Sequence, residues 1–337
     1  PLWEQYSTKA VAHTVRCYSK YTFDYTYPVA ISIHSKWIGM EYPMITFNGP
    51  RTELEDDGTR TYSRSEKEFL IGVVIHEIGH IYFPMIVNSD ERQWTWMDEG
   101  LNTFLQYLAE QEWDINYRSD RGEPRWITNY MSSSYQVPIM TNSESLLQFG
   151  NNAYAKPATA LVLLRETVLG RELFDQAFKE YSQRWKFKRP TPYDFFRTME
   201  EASGVDLDWF WRGWFYSTDH VDIALDNIHI ATLDTLDPQV DLTKDRIDFQ
   251  KEPAILHDNR NEKEVIKTRV EARPELLDIY DEYDEFTPSD REMQDYEDIL
   301  DDLYDKNDSD PEWKKKALVE ALAKEKDYYI FEFSNQG

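Results

Sequence analysis

The segment that decides the fold reads His76-Glu77-Ile78-Gly79-His80, and fifteen residues later the chain continues with Trp96-Met97-Asp98-Glu99-Gly100. Residues four apart lie on one face of a helix, so the imidazoles of His76 and His80 can reach one metal ion. Zinc is the ion typical of this pattern. Glu77 projects about 100° further round the helix, where it can face a water in the ion's open position. A third protein ligand is needed, and Glu99 is the candidate.

The sequence on either side predicts how these residues meet. The pattern Ser65-Glu66-Lys67-Glu68 is typical of a capping box and predicts a helix from about 66 to 83. Pro84 ends or kinks that helix, because it cannot donate a backbone hydrogen bond. After a short polar connection, a second helix is predicted from about 96 to 112. Helices joined by a short link pack as antiparallel neighbours, which returns Glu99 to the two histidines.

Composition excludes several classes of protein. The chain has 337 residues, 41% of them hydrophobic, and a formal charge of −26. Such an acidic chain is unsuited to nucleic acid or to anionic membranes, both of which select a basic surface. Cys17 is the only cysteine, which excludes an internal disulfide framework and a cysteine zinc site. No run of 18 or more apolar residues occurs, so no transmembrane helix is expected.

The regions flanking the metal motif predict a mostly helical α+β protein. A helix is expected over 3–20, and a strand over Tyr25 to His34. A second extended segment is expected from Gly39 to Phe47, with Pro43 favouring a position at the edge of the sheet. An edge strand beside a cleft is where a peptide can add itself as a further strand. These segments predict a small mixed sheet on the N-terminal side of the helices.

Further helices are predicted after the second helix of the motif, over these ranges: 157–169, 172–181, 192–202 and 206–216. The character of the chain changes after about residue 220. Strands are expected at 223–231, 246–255 and 328–333, and a short helix at 313–324. Residues 271–310 are strongly acidic, which is typical of a solvated or poorly ordered segment.

The eighteen residues between His80 and Glu99 resemble the spacing of the aminopeptidase N family of zinc metallopeptidases, the gluzincins with H-E-x-x-H-x₁₈-E. The resemblance covers roughly residues 1–220. The family reads W-L-N-E-G where this chain has Trp96-Met97-Asp98-Glu99-Gly100. Pro84-Met85 stands where the family has Gly-Asn after the motif.

Two flanking motifs extend the resemblance. The family's G-A-M-E-N segment corresponds to Gly39-Met40-Glu41, which the resemblance makes substrate-binding residues, with Glu41 holding the free α-amine. The family's Y-x-K-G corresponds to Tyr154-Ala155-Lys156-Pro157, with Pro157 in place of Gly. The resemblance implies that Tyr154 donates a hydrogen bond to the transition state.

The resemblance implies one Zn²⁺ ion held by His76, His80 and Glu99, with Glu77 and Tyr154 as catalytic residues. It implies a thermolysin-like catalytic domain over 1–220, followed by an acidic C-terminal region, 221–337, that starts a further domain. The expected function is hydrolysis of N-terminal residues from peptides with a free amine.

Several alternatives stay open. A thermolysin-like endopeptidase would share the zinc site without needing Glu41. A zinc-holding, peptide-binding scaffold with little activity is a second alternative, because the family's N-terminal β domain is not part of this sequence. We expect that domain to precede the chain in the full-length protein and to pack on it. The sequence does not decide the compartment, and export to the periplasm or the extracellular space stays open.

Overall fold

The computed structural model describes residues 2–36, 39–49, 53–54, 60–220, 228–231, 235, 237–250, 267–278, 288, 290–305 and 328–331. The chain divides into two compact units. The first unit comprises Pro1–His220 and Ile255–Leu277, and the second comprises Val221–Ala254 and Asp278–Gly337. The metal motif lies entirely in the first unit.

The first unit begins with a long helix and a small mixed sheet. Helix α1 is Leu2–Tyr21, and strands β1, β2 and β3 are Ile31–His34, Met40–Tyr42 and Ile45–Asn48. Strand β3 is central, parallel to β1 and antiparallel to β2. The small mixed sheet expected from the sequence is therefore present, and β2 is one of its edges.

The prediction of one extended segment from Gly39 to Phe47 is wrong in one respect. This segment is a hairpin, with Pro43 and Met44 in the turn between β2 and β3. Met44 has a φ of 67°, as the third residue of a type II turn requires, and proline favours the second position of that turn. Likewise, the strand predicted from Tyr25 begins only at Ile31.

Helix α2, Arg64–Gly79, carries the two histidines, but its first turn differs from the prediction. The capping box is formed by Ser63 and Glu66, not by Ser65. The Glu66 backbone N–H donates to Ser63 Oγ at 3.2 Å, and the Ser63 N–H donates to Glu66 Oε2 at 2.6 Å. Two short strands precede the cap, β4 at Glu53–Leu54 and β5 at Arg60–Thr61.

Helix α2 ends before Pro84, as the sequence predicts. A wider helical turn, Ile81–Ile86, replaces the regular helix after Gly79, and Phe83 within it has extended backbone angles. Helix α3, Glu99–Trp113, follows a tight turn at Thr95–Met97. The predicted helix from about 96 therefore starts three residues later.

Close packing fixes α2 against α1 and α3. A Cβ at Gly79 would overlap the Tyr18 hydroxyl and the Asn102 side chain, so only glycine permits this approach. The Asn102 side chain donates to the His76 carbonyl at 2.8 Å, and the Tyr18 hydroxyl donates to Asn102 Oδ1 at 2.8 Å. All three helices are thus joined immediately behind the first histidine.

The regular elements that the structure describes in the rest of the first unit are helices. Its helices are α4 at Thr128–Met131, α5 at Lys156–Leu163, α6 at Arg171–Arg184, α7 at Pro192–Ser203, α8 at Asp208–Trp211 and α10 at Arg269–Ala272. Buried aromatic rings join these helices to the metal motif. Trp96 stacks on Phe196 with ring centroids 5.9 Å apart and meets the edge of Phe215 at 4.8 Å. This core anchors the segment that leads into Glu99.

In the second unit, β6 (Ile228–Ala231) pairs antiparallel with β7 (Tyr328–Phe331). These strands fall within two predicted ones. The strand predicted over 246–255 is wrong where the structure describes it, because helix α9 spans Pro238–Gln250. The acidic segment 271–310 includes a regular helix, α11, at Asp290–Asp305. Its high acidity does not prevent an amphipathic pattern. The helix predicted over 313–324 lies outside the described residues.

Among the described residues, one helical stretch passes a length and composition test for a membrane span. Arg64–Ile86 has 23 residues and a mean hydropathy of 1.6, but 83% of its apolar window is buried inside the structure. A buried stretch of this kind is the core helix of a fold, and here it carries the metal motif.

Candidate metal centre

Three predicted ligand atoms converge at the centre of the first unit. His76 Nε2 and His80 Nε2 are 3.0 Å apart, and Glu99 Oε2 is 3.1 Å from the former and 3.2 Å from the latter. The imidazoles meet at 88°. His80 is 1% exposed, and the side chains of His76 and Glu99 are only 12% and 13% exposed.

This arrangement fits a zinc ion. Ligand atoms about 2.0–2.1 Å from a tetrahedral zinc are about 3.3 Å from one another, and the three observed separations are within about 0.3 Å of that value. Two imidazoles and one carboxylate form a donor set typical of catalytic zinc. Glu41, Glu77 and Asp98 add negative charge around them, which a divalent cation balances.

The other ring nitrogen of each histidine is also held. His76 Nδ1 lies 2.8 Å from Gln106 Oε1, and Gln106 Nε2 donates to Glu110 Oε1 at 2.7 Å. His80 Nδ1 lies 2.9 Å from the Phe83 carbonyl and 2.9 Å from Asp98 Oδ1. Acceptors at Nδ1 keep the proton there and leave Nε2 free for a metal.

Glu77 is buried beside this centre. Its side chain is in reach of Glu41 and His80, and its Oε2 has no hydrogen-bond partner among the described residues. Burial raises the pKa of the Glu77 carboxyl to about 7. A buried carboxylate oxygen without a partner is costly unless it faces water or substrate. Gly39 covers the other oxygen, where a Cβ would overlap Glu77 Oε1.

The predicted substrate-binding segment lies on strand β2. Glu41 pairs with Thr46 across the β2–β3 ladder, and its carboxylate is within 4.8 Å of ligand atoms of Glu77 and His80. Met40, the preceding residue, is 41% exposed. The exposed edge of β2 and the Glu41 carboxylate are therefore available to a peptide that approaches the metal centre.

Tyr154 packs against the first histidine. It lies in the helical turn Gly150–Ala155, which leads directly into α5. Its ring stacks on His76 at 5.9 Å and 21°. Burial and the neighbouring Glu99 carboxylate raise the pKa of the Tyr154 hydroxyl, so it stays protonated and can donate a hydrogen bond. Lys156, which belongs to the same sequence motif, is buried and its Nζ donates to Gln136 Oε1 at 2.6 Å.

Sequence reasoning missed four residues around the centre: Asp98, Gln106, Glu110 and Arg121. Gln106 follows Glu99 by seven residues, so a helical projection places it on the same face of α3. That signal was available. Arg121 comes from a loop, and no periodicity indicates its position.

The chain is similar in sequence to known proteins. Residues 6–214 match the model of the peptidase family M1 domain. Glutamyl aminopeptidase of Bos taurus is 27% identical over 176 residues, covering 50% of this chain and 18% of that protein. Mitochondrial aminopeptidase 2 of Saccharomyces cerevisiae is 25% identical over 217 residues, covering 60% of this chain and 22% of that protein. The chain thus spans about a fifth of the length of these relatives.

The fold is also similar to solved structures. An M1 zinc metallopeptidase from Deinococcus radiodurans superposes with a TM-score of 0.51 at 18% identity, covering 64% of this chain and 45% of that one. An E323A mutant of the same enzyme gives a TM-score of 0.50. This likeness supports the mostly helical architecture with its small mixed sheet. With the family model matching well over half of its length, the chain belongs to peptidase family M1.

Proposed function

We propose that this chain carries the catalytic centre of a zinc-dependent aminopeptidase. The observation that carries the proposal is the convergence of His76 Nε2, His80 Nε2 and Glu99 Oε2 within 3.2 Å, with Glu77 beside them. When bound, one zinc ion supplies Lewis acidity, which activates water and polarises a carbonyl. The aminopeptidases among its relatives support the same reaction class.

The side chains around the centre have distinct roles in the proposed reaction. Glu77 takes a proton from the attacking water and returns it to the leaving amine, since it lies beside the centre with one oxygen that has no hydrogen-bond partner among the described residues. The Tyr154 hydroxyl donates to the oxyanion that develops on the scissile carbonyl. Gln106 holds His76 in the tautomer that presents Nε2.

Glu41 restricts the reaction to the first peptide bond. Its carboxylate beside Glu77 pairs with the substrate's α-ammonium, and strand β2 with Gly39 and Met40 lines the approach. A blocked amine removes this ion pair and leaves the carboxylate without its partner. An acetylated peptide should therefore be a much poorer substrate than the free one.

The Glu77→Gln variant tests the proposal. We expect it to keep one zinc per chain while hydrolysis of an aminoacyl-anilide falls by about 10²–10⁴-fold, the usual contribution of a positioned base. Glu180→Gln, which changes an exposed carboxylate on α6, is the matched control and should keep full activity. Chelation of the metal should abolish turnover. A fully active Glu77→Gln protein is incompatible with the proposal.

A thermolysin-like endopeptidase is the second candidate, and the shared donor set favours it. It predicts equal cleavage of free and acetylated peptides, with no effect of Glu41→Gln. A zinc-holding scaffold predicts stoichiometric zinc without turnover of either peptide. Zinc content measured alongside the two peptide assays separates the three functions.

We further propose that residues 1–220 have the thermolysin-like arrangement of a catalytic domain. Residues 221–337, apart from Ile255–Leu277, which belongs to the first unit, then begin a further domain. An N-terminal β domain of the full-length protein packs on the catalytic one. The greater length of the relatives supports this layout. Export to the periplasm or the extracellular space is a separate prediction, which secretion of a tagged full-length protein would test.

A further inference from the structure

A cavity of about 500 Å³ adjoins the metal centre. Helices α2 and α3 and the segment 117–121 form its walls. His76, Glu77 and Tyr154 lie on its wall, and so does Arg121. Gly39 also lines the cavity but Glu41 does not, so the cavity adjoins the centre beside the proposed amine site.

Arg121 is the unusual group in this cavity. Its guanidinium lies over the ring of Tyr154, 4.5 Å from the centroid, and its side chain is exposed. In the part of the chain that the structure describes, no carboxylate forms an ion pair with it. A guanidinium presents five donors in a planar fork that matches a carboxylate.

Two acidic residues of the cavity wall, Glu68 and Glu110, have partners other than Arg121. Glu68 forms an ion pair with Arg64 at 2.9 Å. Both oxygens of Glu110 accept hydrogen bonds, one from Gln106 and one from Ser119 at 2.5 Å. Asp120 is at the exposed rim and is not within ion-pair distance of Arg121. The charge of Arg121 therefore remains available to a ligand.

Arg121 lies where we expect the leaving side of a substrate, the part that follows the cut bond. With the ammonium of the first residue at Glu41, the following residues extend past Tyr154 into the cavity. The Arg121 guanidinium is 4.5 Å from the centre of the Tyr154 ring, which is 5.9 Å from the centre of the His76 ring. Each extended residue spans about 3.3–3.6 Å, so we expect a carboxylate one or two residues beyond the cut bond to reach that guanidinium.

We propose that Arg121 binds a carboxylate on the leaving side of the substrate, and this inference rests on the proposed function. The carboxylate is either the free C-terminus of a di- or tripeptide or an acidic side chain after the cut bond. The substrate class is thus short or acidic peptides, selected by a residue separate from the metal ligands.

Three dipeptides with the same first residue distinguish the sources. They are X-Gly with a free carboxylate, its C-terminal amide, and the C-terminal amide of X-Asp. For Arg121→Gln we expect kcat/KM for the free acid, relative to its amide, to fall about tenfold, equivalent to about 1.4 kcal/mol. If an acidic side chain is also bound, wild type should have a higher kcat/KM for the X-Asp amide than for the X-Gly amide, and Arg121→Gln should lose this difference.

Two further variants sharpen the readout. Arg121→Lys keeps the charge but loses the planar fork. Its ratio of kcat/KM for the free acid to kcat/KM for the amide should therefore lie between those of the wild type and Arg121→Gln. Arg118→Gln removes a second cation from the same cavity wall, near Glu68, and should keep the wild-type ratio. An equal loss for acid and amide in Arg121→Gln would mean only that Tyr154 had moved, and would overturn the proposal.

Binding to zinc-loaded Glu77→Gln protein tests the inference independently of turnover. Calorimetric titration should show X-Gly binding more tightly than its amide, and the additional Arg121→Gln change should remove the difference. Equal binding of acid and amide overturns the carboxylate site. Failure of the proposed function is seen separately, as the absence of anilide hydrolysis by the wild-type protein.

Discussion

Gly39 is the position where the smallest substitution should have the clearest functional effect. A Cβ there would overlap Glu77 Oε1 and lie 3.1 Å from Glu77 Cδ, whereas carbon atoms in contact are about 3.5–4.0 Å apart. In Gly39→Ala the Glu77 carboxylate must therefore move by a substantial part of an ångström. Gly39 also has a φ of 37°, which costs an L-residue about 1–2 kcal/mol.

The expected result is a loss of activity that exceeds the loss of stability. A displacement of about 1 Å in a catalytic group costs on the order of 10²-fold in rate. We therefore expect kcat/KM for an aminoacyl-anilide to fall about 100-fold, with one zinc per chain retained, since the three ligands are not touched. The free energy of unfolding, measured with urea, should fall by about 1–2 kcal/mol.

Two other glycines provide matched controls. Gly204 has a φ of 70° but open space around it, so Gly204→Ala introduces the backbone strain without an overlap. Gly213 has open space and no positive φ, so Gly213→Ala introduces neither. Both controls should keep full activity. If Gly39→Ala is as active as Gly204→Ala, the position of Glu77 inferred from this packing is wrong.

Three further changes test other parts of the structure. Gln106→Leu removes the acceptor at the Nδ1 of the first zinc-site histidine and should weaken zinc about 10–100-fold in a chelator competition, whereas Gln111→Leu on the same helix should not. Ser63→Ala should lower the free energy of unfolding by about 1 kcal/mol because it removes the helix cap, and Ser65→Ala, inside the helix, should have a smaller effect. Burial lowers the pKa of His13 to about 4. Only the unfolded chain takes up this proton as the pH falls from 6.5 towards 4, so stability should drop by about 3 kcal/mol across that window. Urea titrations of wild type and His13→Gln at several pH values check this, because the variant should lack that contribution.

The metal centre could be predicted from sequence because its determinants are local. The spacing of His76 and His80 is a property of one helix, and Glu99 follows from a short link between two packed helices. Two imidazoles and one carboxylate are also ligands typical of zinc, so residue identity indicates which ion binds. The predicted helix cap was wrong because two serines fit the same pattern. Ser63 and Ser65 both precede a glutamate by three residues, and only the structure shows that Ser63 caps α2.

The acidic segments were predicted less well. Composition indicated a solvated or poorly ordered segment over 271–310. Asp290–Asp305 is instead an ordered helix, whose side chains over 290–299 are mostly exposed. The strand predicted over 246–255 is helical over 246–250, the part of it that the structure describes. Short apolar runs fit either period, and the contacts that decide between strand and helix are distant in sequence.

The sequence by itself determined the donor set, the base and the family resemblance, since these depend on residue identity and helical spacing. Only the tertiary structure decided how Gly39 restricts Glu77, how Gln106 and Glu110 hold His76, and that Arg121 lies over Tyr154. The physical reason is that orientation and exposure of side chains depend on packing between elements far apart in the chain. Spacing along one helix carries no information about such packing.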